Sequence, residues 1–260
     1  MNGITQAFWQ IITLFGPLIA CVGLLQALEL RIQKRMSRYF GWQSNLWTGW
    51  IGAPVHEYSH AIVAWIFGHQ VDRIVPFQPE AKTGRLGYVI IRYNAKSTWQ
   101  TMGHFFVCYA PLAGGTLAIF FVTLLFYPSS IQTQFQVEPA ELFKTSLTQA
   151  SQQLTSILTP ENVGSIRFWA YSYLVLAIGC HLAPSSQDYQ KSARGHRRMF
   201  WVGLIVFPLF LLTGGLPNAL LSPVATGFLM LQANFIFAVF LCSLAGLTIY
   251  IITELMTWLS

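Results

Sequence analysis

The chain has 260 residues, of which 54% are hydrophobic and 9% charged, and a formal net charge of +6. A soluble domain carries roughly 25% charged residues, so this composition excludes an ordinary water-soluble protein and predicts an all-α polytopic membrane protein, a single transmembrane domain over residues 1–260. The positive charge does not indicate a nucleic-acid binder, because the Lys and Arg lie between apolar runs and form no aromatic-flanked basic face; orientation in the lipid bilayer explains them.

A helix needs about 20 apolar residues to cross a bilayer. In chain order the candidates are residues 8–28, 46–68, 102–127, 166–183, 199–216 and 225–253, so about six transmembrane helices are expected. The fourth and fifth are short, and Gly214-Gly215-Leu216-Pro217-Asn218 breaks the chain before the sixth. In the first, Leu18-Ile19-Ala20-Cys21 has the form of a lipoprotein processing site, but no positive segment precedes it and the apolar run continues past the cysteine. That segment reads as a retained anchor. The four cysteines, Cys21, Cys108, Cys180 and Cys242, sit in or at the ends of apolar segments and form no C-x-x-C pair, which assigns them to packing.

The second span contains His56-Glu57-Tyr58-Ser59-His60, an H-E-x-x-H motif. Residues four apart on a helix stand one above the other, so His56 and His60 can offer two imidazoles to one metal while Glu57 reaches a water bound there as general base. This pattern predicts a Zn2+-dependent hydrolase. After it, Val71-Asp72-Arg73-Ile74-Val75-Pro76-Phe77 and Leu86-Gly87-Tyr88-Val89-Ile90-Ile91-Arg92-Tyr93 are rich in β-branched and aromatic residues around Glu80-Ala81-Lys82-Thr83-Gly84. They read as a β-hairpin over residues 71–93. Residues 128–165 are polar and rich in Gln, Ser and Thr, with Glu138, Glu141 and Glu161 against Lys144, and read as a partly helical loop outside the membrane, too short for a separate domain. The C-terminal helices occupy residues 199–260.

With six spans and both termini inside, nine basic residues fall on the inner side: Arg73, Lys82, Arg85, Arg92 and Lys96 of the hairpin region and Lys191, Arg194, Arg197 and Arg198 of a basic loop. Six fall outside: Arg31, Lys34, Arg35, Arg38, Lys144 and Arg167. The bias places hairpin and basic loop in the cytosol. Arg31 to Arg38 oppose it, which an interfacial helix after the first span, or a second segment that does not fully cross, would relieve.

A catalytic zinc usually takes three protein ligands. Asp188, just past Pro184 at the end of the fourth span, can fold back toward the bundle and complete a His56, His60, Asp188 set. His181 competes as an alternative ligand or acts beside the metal as a transition-state donor. Glu254 is an acid near the end of the last span and is a weaker candidate. His69 and His104 flank the hairpin and read as interfacial residues.

His56-Glu57-Tyr58-Ser59-His60-Ala61, a helix end at Phe67-Gly68, a hairpin and a span with Ala110-Pro111-Leu112-Ala113-Gly114-Gly115 resemble the site-2 protease family of intramembrane zinc metalloproteases over about residues 46–190, the catalytic core. In that family a later span carries an Asn, a Pro and an Asp-Gly whose Asp is the third zinc ligand; His181, Pro184 and Asp188 follow in that order here, with Tyr189 in place of the Gly. Ala110-Pro111 stands where Gly-Pro is usual, and residues 128–165 leave no room for the family's inserted recognition domain. The resemblance implies an intramembrane metalloendopeptidase whose partner is a membrane-protein substrate, its transmembrane helix unwound and added as a strand to the hairpin. Two further readings stand beside it: a zinc-dependent hydrolase of lipids or other amphiphiles, and a non-catalytic zinc-stabilised scaffold that binds client helices. A transporter is disfavoured, since no interrupted spans recur in corresponding halves. The small size and the lack of a cleavable leader suit a prokaryotic inner membrane.

Overall fold

The computed structural model describes residues 3–131, 141–213 and 218–259. Eight α-helices and one two-stranded sheet are present among them, in the order α1 (Gly3–Phe40), α2 (Leu46–Ile66), β1 (Gln70–Val75), β2 (Tyr88–Arg92), α3 (Thr98–Phe126), α4 (Leu142–Ile157), α5 (Pro160–Val163), α6 (Ile166–Gly179), α7 (Ser186–Leu212) and α8 (Asn218–Leu259). Four helices are long and apolar enough to cross a membrane: α1, α3, α7 and residues Gln232–Leu255 of α8. The 14 residues of α6 span only about 21 Å, short of the roughly 30 Å hydrocarbon core. The expected fourth span therefore does not stand as a crossing of its own.

Its continuation is α7. Thr123 meets Tyr171 through their hydroxyls, a Cβ at Gly115 would strike Leu182, a Cβ at Gly195 would strike the α3 backbone at Thr101 and Phe105, and Arg198 donates to the carbonyls of Ser97 and Ala95. Along α3 from its C-terminus to its N-terminus the partners thus climb from Tyr171 to Arg198. So α6, a break, and the first half of α7 form one interrupted path antiparallel to α3. The expected basic loop, Lys191 to Arg198, is helical within α7, lying at the hairpin end of α3. The apolar residues expected as a fifth span continue α7 to Leu212, with Phe200, Trp201, Leu204, Ile205 and Leu209 exposed. The Gly214 to Pro217 break lies outside the described residues.

The positive cluster in α1 has a different setting from the one expected. No separate interfacial helix follows the first span; Arg31, Lys34, Arg35 and Arg38 lie on a continuous helix of 38 residues, about 57 Å long. Arg35 pairs with Glu254 at 2.6 Å and lies over the Tyr250 ring, so part of this charge is answered inside the protein by α8. The 128–165 region is partly helical, as expected, and packs on the bundle: α4 buries Leu142, Ser146, Gln149, Ala150, Gln153 and Ile157, and Ser146 reaches Gln232 of α8 at 3.2 Å. Residues 132–140, with Glu138, lie outside the described residues.

The hairpin forms where the β-branched runs placed it. β1 and β2 pair antiparallel from Gln70↔Arg92 to Val75↔Tyr88, with a bulge between Val71 and Arg73. Entry is set by the end of α2, where Gly68 takes φ 72°, its N–H bonds to Trp65 O and that of His69 to Ala64 O. This paired closure needs a left-handed residue, which glycine adopts without strain. The buried core joins α3, α4, α6 and α8 through Ile119, Ala150, Tyr171, Val175, Ile178 and Phe235.

The contact of Arg198 with Ser97 and Ala95 puts the hairpin and the α7 basic stretch on one face. Cysteines introduced at Lys82 and Arg194 are expected to react with a membrane-impermeant thiol reagent from the same side of sealed vesicles; labelling from opposite sides would contradict the α3–α7 pairing.

Candidate metal centre

His56 and His60 lie on one face of α2, as the spacing requires. Glycines and small residues bring neighbouring helices close to them: a Cβ at Gly52 would sit 2.3 Å from Ala177 O of α6, and one at Gly114 would sit 2.0 Å from Ser59 Oγ. Asp188 arrives from the other direction, in the first turn of α7. Its backbone N–H is capped by Ser185 Oγ at 3.3 Å, and its Oδ2 accepts from Ser185 N at 2.8 Å, a capping box that fixes the carboxylate at the helix start.

The three ligand atoms lie within 4.8 Å of one another. Nε2 of His56 and Nε2 of His60 are 3.0 Å apart, and Asp188 oxygens stand 3.6 Å from His56 Nε2 and 3.4 Å from His60 Nε2. The proton positions follow from the other ring nitrogens. His56 Nδ1 is 2.8 Å from His181 O and His60 Nδ1 is 2.7 Å from Val107 O. A carbonyl only accepts, so each Nδ1 carries a hydrogen, and in the neutral form of each ring the lone pair is left on Nε2, toward the other ring. Two lone pairs and a carboxylate converging in this way repel one another without a cation between them. The carboxylate separations exceed the roughly 2.7–2.9 Å of a charge-assisted hydrogen bond. They match ligands at about 2.0–2.2 Å around a tetrahedral ion, which stand roughly 3.3–3.6 Å apart. This group can therefore hold a metal ion.

Both orienting carbonyls come from defects in helices. Pro111 lacks the N–H that would bond to the carbonyl four residues back, and that carbonyl is Val107 O, which receives His60. His181 O belongs to the break between α6 and α7. The His181 side chain does not join the ligand group: its Nε2 lies 3.1 Å from Thr48 Oγ1, and its ring fills the space that a Cβ on Gly52 would need. Its contact with His56 is through the backbone carbonyl, and it is Asp188 that stands beside the two imidazoles.

A cavity of about 910 Å³ opens over the site, lined by Glu57, His104, Lys191 and the β2 residues Tyr88 to Ile91, with Gln26, Glu29 and Gln33 of α1 on another side. Glu57 approaches the hairpin at Gly87, where a Cβ would come within 2.9 Å of its Cγ. Glu254 is remote, tied to Arg35. His69 and His104 close the base of the hairpin with Tyr93, whose ring stacks on His104 at 4.5 Å. Burial pushes the His69 pKa below its ordinary value, and the ring donates to Gln100 O at 2.7 Å. Glu29 and Gln33 were not singled out from the sequence; their signal is the i, i+3, i+7 spacing of Gln26, Glu29 and Gln33 on one face of α1.

No family model, curated protein or solved structure matches the chain.

Asp188→Ala removes a ligand, whereas His181→Ala leaves the backbone carbonyl in place. Metal analysis of purified protein is expected to find the ion lost in the first variant and kept in the second; equal retention in both would remove Asp188 from the ligand set.

Proposed function

We propose that this protein is an intramembrane zinc metalloendopeptidase, resembling the site-2 protease family, that hydrolyses peptide bonds of membrane-embedded substrates in a prokaryotic inner membrane. The observation that carries the reading is the pair of bare Nε2 atoms facing Asp188, each imidazole held by a backbone carbonyl. Two imidazoles, a carboxylate and a position left for water are the donor set of a catalytic zinc. When bound, zinc supplies the Lewis acidity that brings the pKa of a water toward neutrality.

The chain's own residues do the rest. Glu57, beside His56 on α2 and against Gly87, is placed at the cavity to take a proton and to return it to the leaving amine. A transmembrane helix hides its carbonyls in its own hydrogen-bond ladder, so it must be unwound before attack. β2 and not β1 lines the cavity among the described residues, so its outer edge is available to an unwound segment as a third strand. Main-chain pairing of this kind holds a peptide without demanding a sequence. In this arrangement α2 and the interrupted α6–α7 path cross the membrane together with α1, α3 and α8, the hairpin facing the cytosol.

Glu57→Gln keeps the size of the side chain and removes the base. In detergent with a model transmembrane substrate, cleavage is expected to fall by about 10²–10⁴-fold with zinc retained. Undiminished cleavage would exclude Glu57 as base, and zinc with lipid hydrolysis in place of peptide cleavage would replace the protease by an amphiphile hydrolase.

A further inference from the structure

We propose that Glu29 of α1 is a positioning residue of the metal centre, acting with Gln33 to hold the interrupted segment from Cys180 to Asp188 in place. The inference rests on the metal reading above and adds the first helix to the site, which the sequence presents only as an anchor.

α6 stops at Gly179 and α7 starts at Ser186; the N–H groups of Cys180 and His181 still bond back to Leu176 O and Ile178 O, but the carbonyls of the break and the N–H of Ala183 lose their helical partners inside the bundle. In an apolar surrounding such groups must find partners within the protein. Pro184 has no N–H to offer the carbonyl four residues back, Cys180 O; Gln33 Nε2 donates to it at 3.4 Å. The N–H of Ala183 donates to Glu29 Oε2 at 3.3 Å. Gln33 Nε2 also lies 3.1 Å from Glu29 Oε1, which links the two side chains into one clamp on α1.

The clamped segment carries His181 O, which orients His56, and leads directly into Asp188, whose carboxylate faces both imidazoles. A shift of this segment moves a ligand and the partner of another ligand together. A carboxyl group suits this clamp, because its two oxygens can each accept an N–H from a different direction.

The test is zinc affinity, measured by chelator competition on the full-length protein, for wild type, Glu29→Gln, Glu29→Leu and Gln33→Leu, alongside thermal unfolding of the metal-free forms. Glu29→Gln keeps an acceptor oxygen for Ala183 but turns an amide N–H toward Gln33 Nε2, and is expected to lose less affinity than Glu29→Leu. Glu29→Leu is expected to lose about 10–100-fold in affinity, the usual effect of removing an outer partner of a metal site, with a smaller loss for Gln33→Leu. A merely structural role would lower the unfolding temperature of Glu29→Leu without changing zinc affinity, and that result overturns the proposal. Should Glu29→Leu fail to fold, wild-type affinity in Gln33→Leu overturns it equally. A wild type that binds no zinc overturns the metal reading itself, an outcome distinct from equal affinities across a zinc-binding series.

Discussion

A backbone carbonyl in an apolar interior must be given a donor, and this one constraint organises the centre of the molecule. Two helices are interrupted near the same point. Pro111 leaves Val107 O without its helical N–H, and the end of α6 leaves His181 O and Cys180 O without theirs. The imidazoles of His60 and His56 and the amide of Gln33 answer them. Each histidine is held by the group it satisfies, its proton is assigned to Nδ1, and its Nε2 is directed inward. The defects that would weaken a helix elsewhere thus orient the ligands.

The close approach of helices serves the same end. Gly52, Gly114 and Gly115 have no space for a Cβ because Ala177, Ser59 and Leu182 occupy it. Such contacts let α2, α3 and the α6–α7 break converge without bulky side chains between their backbones. The cavity is then bounded by elements of different character: a metal-facing helix turn, the start of α7, the strand β2, and the polar face of α1.

Much of this was legible in the sequence. The H-E-x-x-H spacing fixed the relation of His56 to His60 because helical periodicity is local, and the two β-branched runs located the hairpin to within about two residues at each end. Asp188 could be expected near the histidines because a proline shortly before it signals a helix stop; the capping box of Ser185 and Asp188 is what the structure adds. The number of crossings was not legible, since hydropathy counts apolar runs and cannot tell a new crossing from the continuation of an interrupted one; Lys191 to Arg198 looked like a loop for that reason. The roles of Pro111 and Glu29 depended on the contact of Val107 O with His60, 47 positions earlier, and of Glu29 with Ala183, 154 positions later, which no local pattern records. His181 was singled out for its ring, while the structure uses its carbonyl.

The most direct measurement of the central claim is X-ray absorption at the zinc edge on the purified protein. Four nitrogen and oxygen neighbours at about 2.0–2.1 Å, with the outer-shell scattering of two imidazoles, are what the His56, His60 and Asp188 geometry requires. A spectrum with sulfur ligands, with a single imidazole, or with no bound zinc after loading would contradict it.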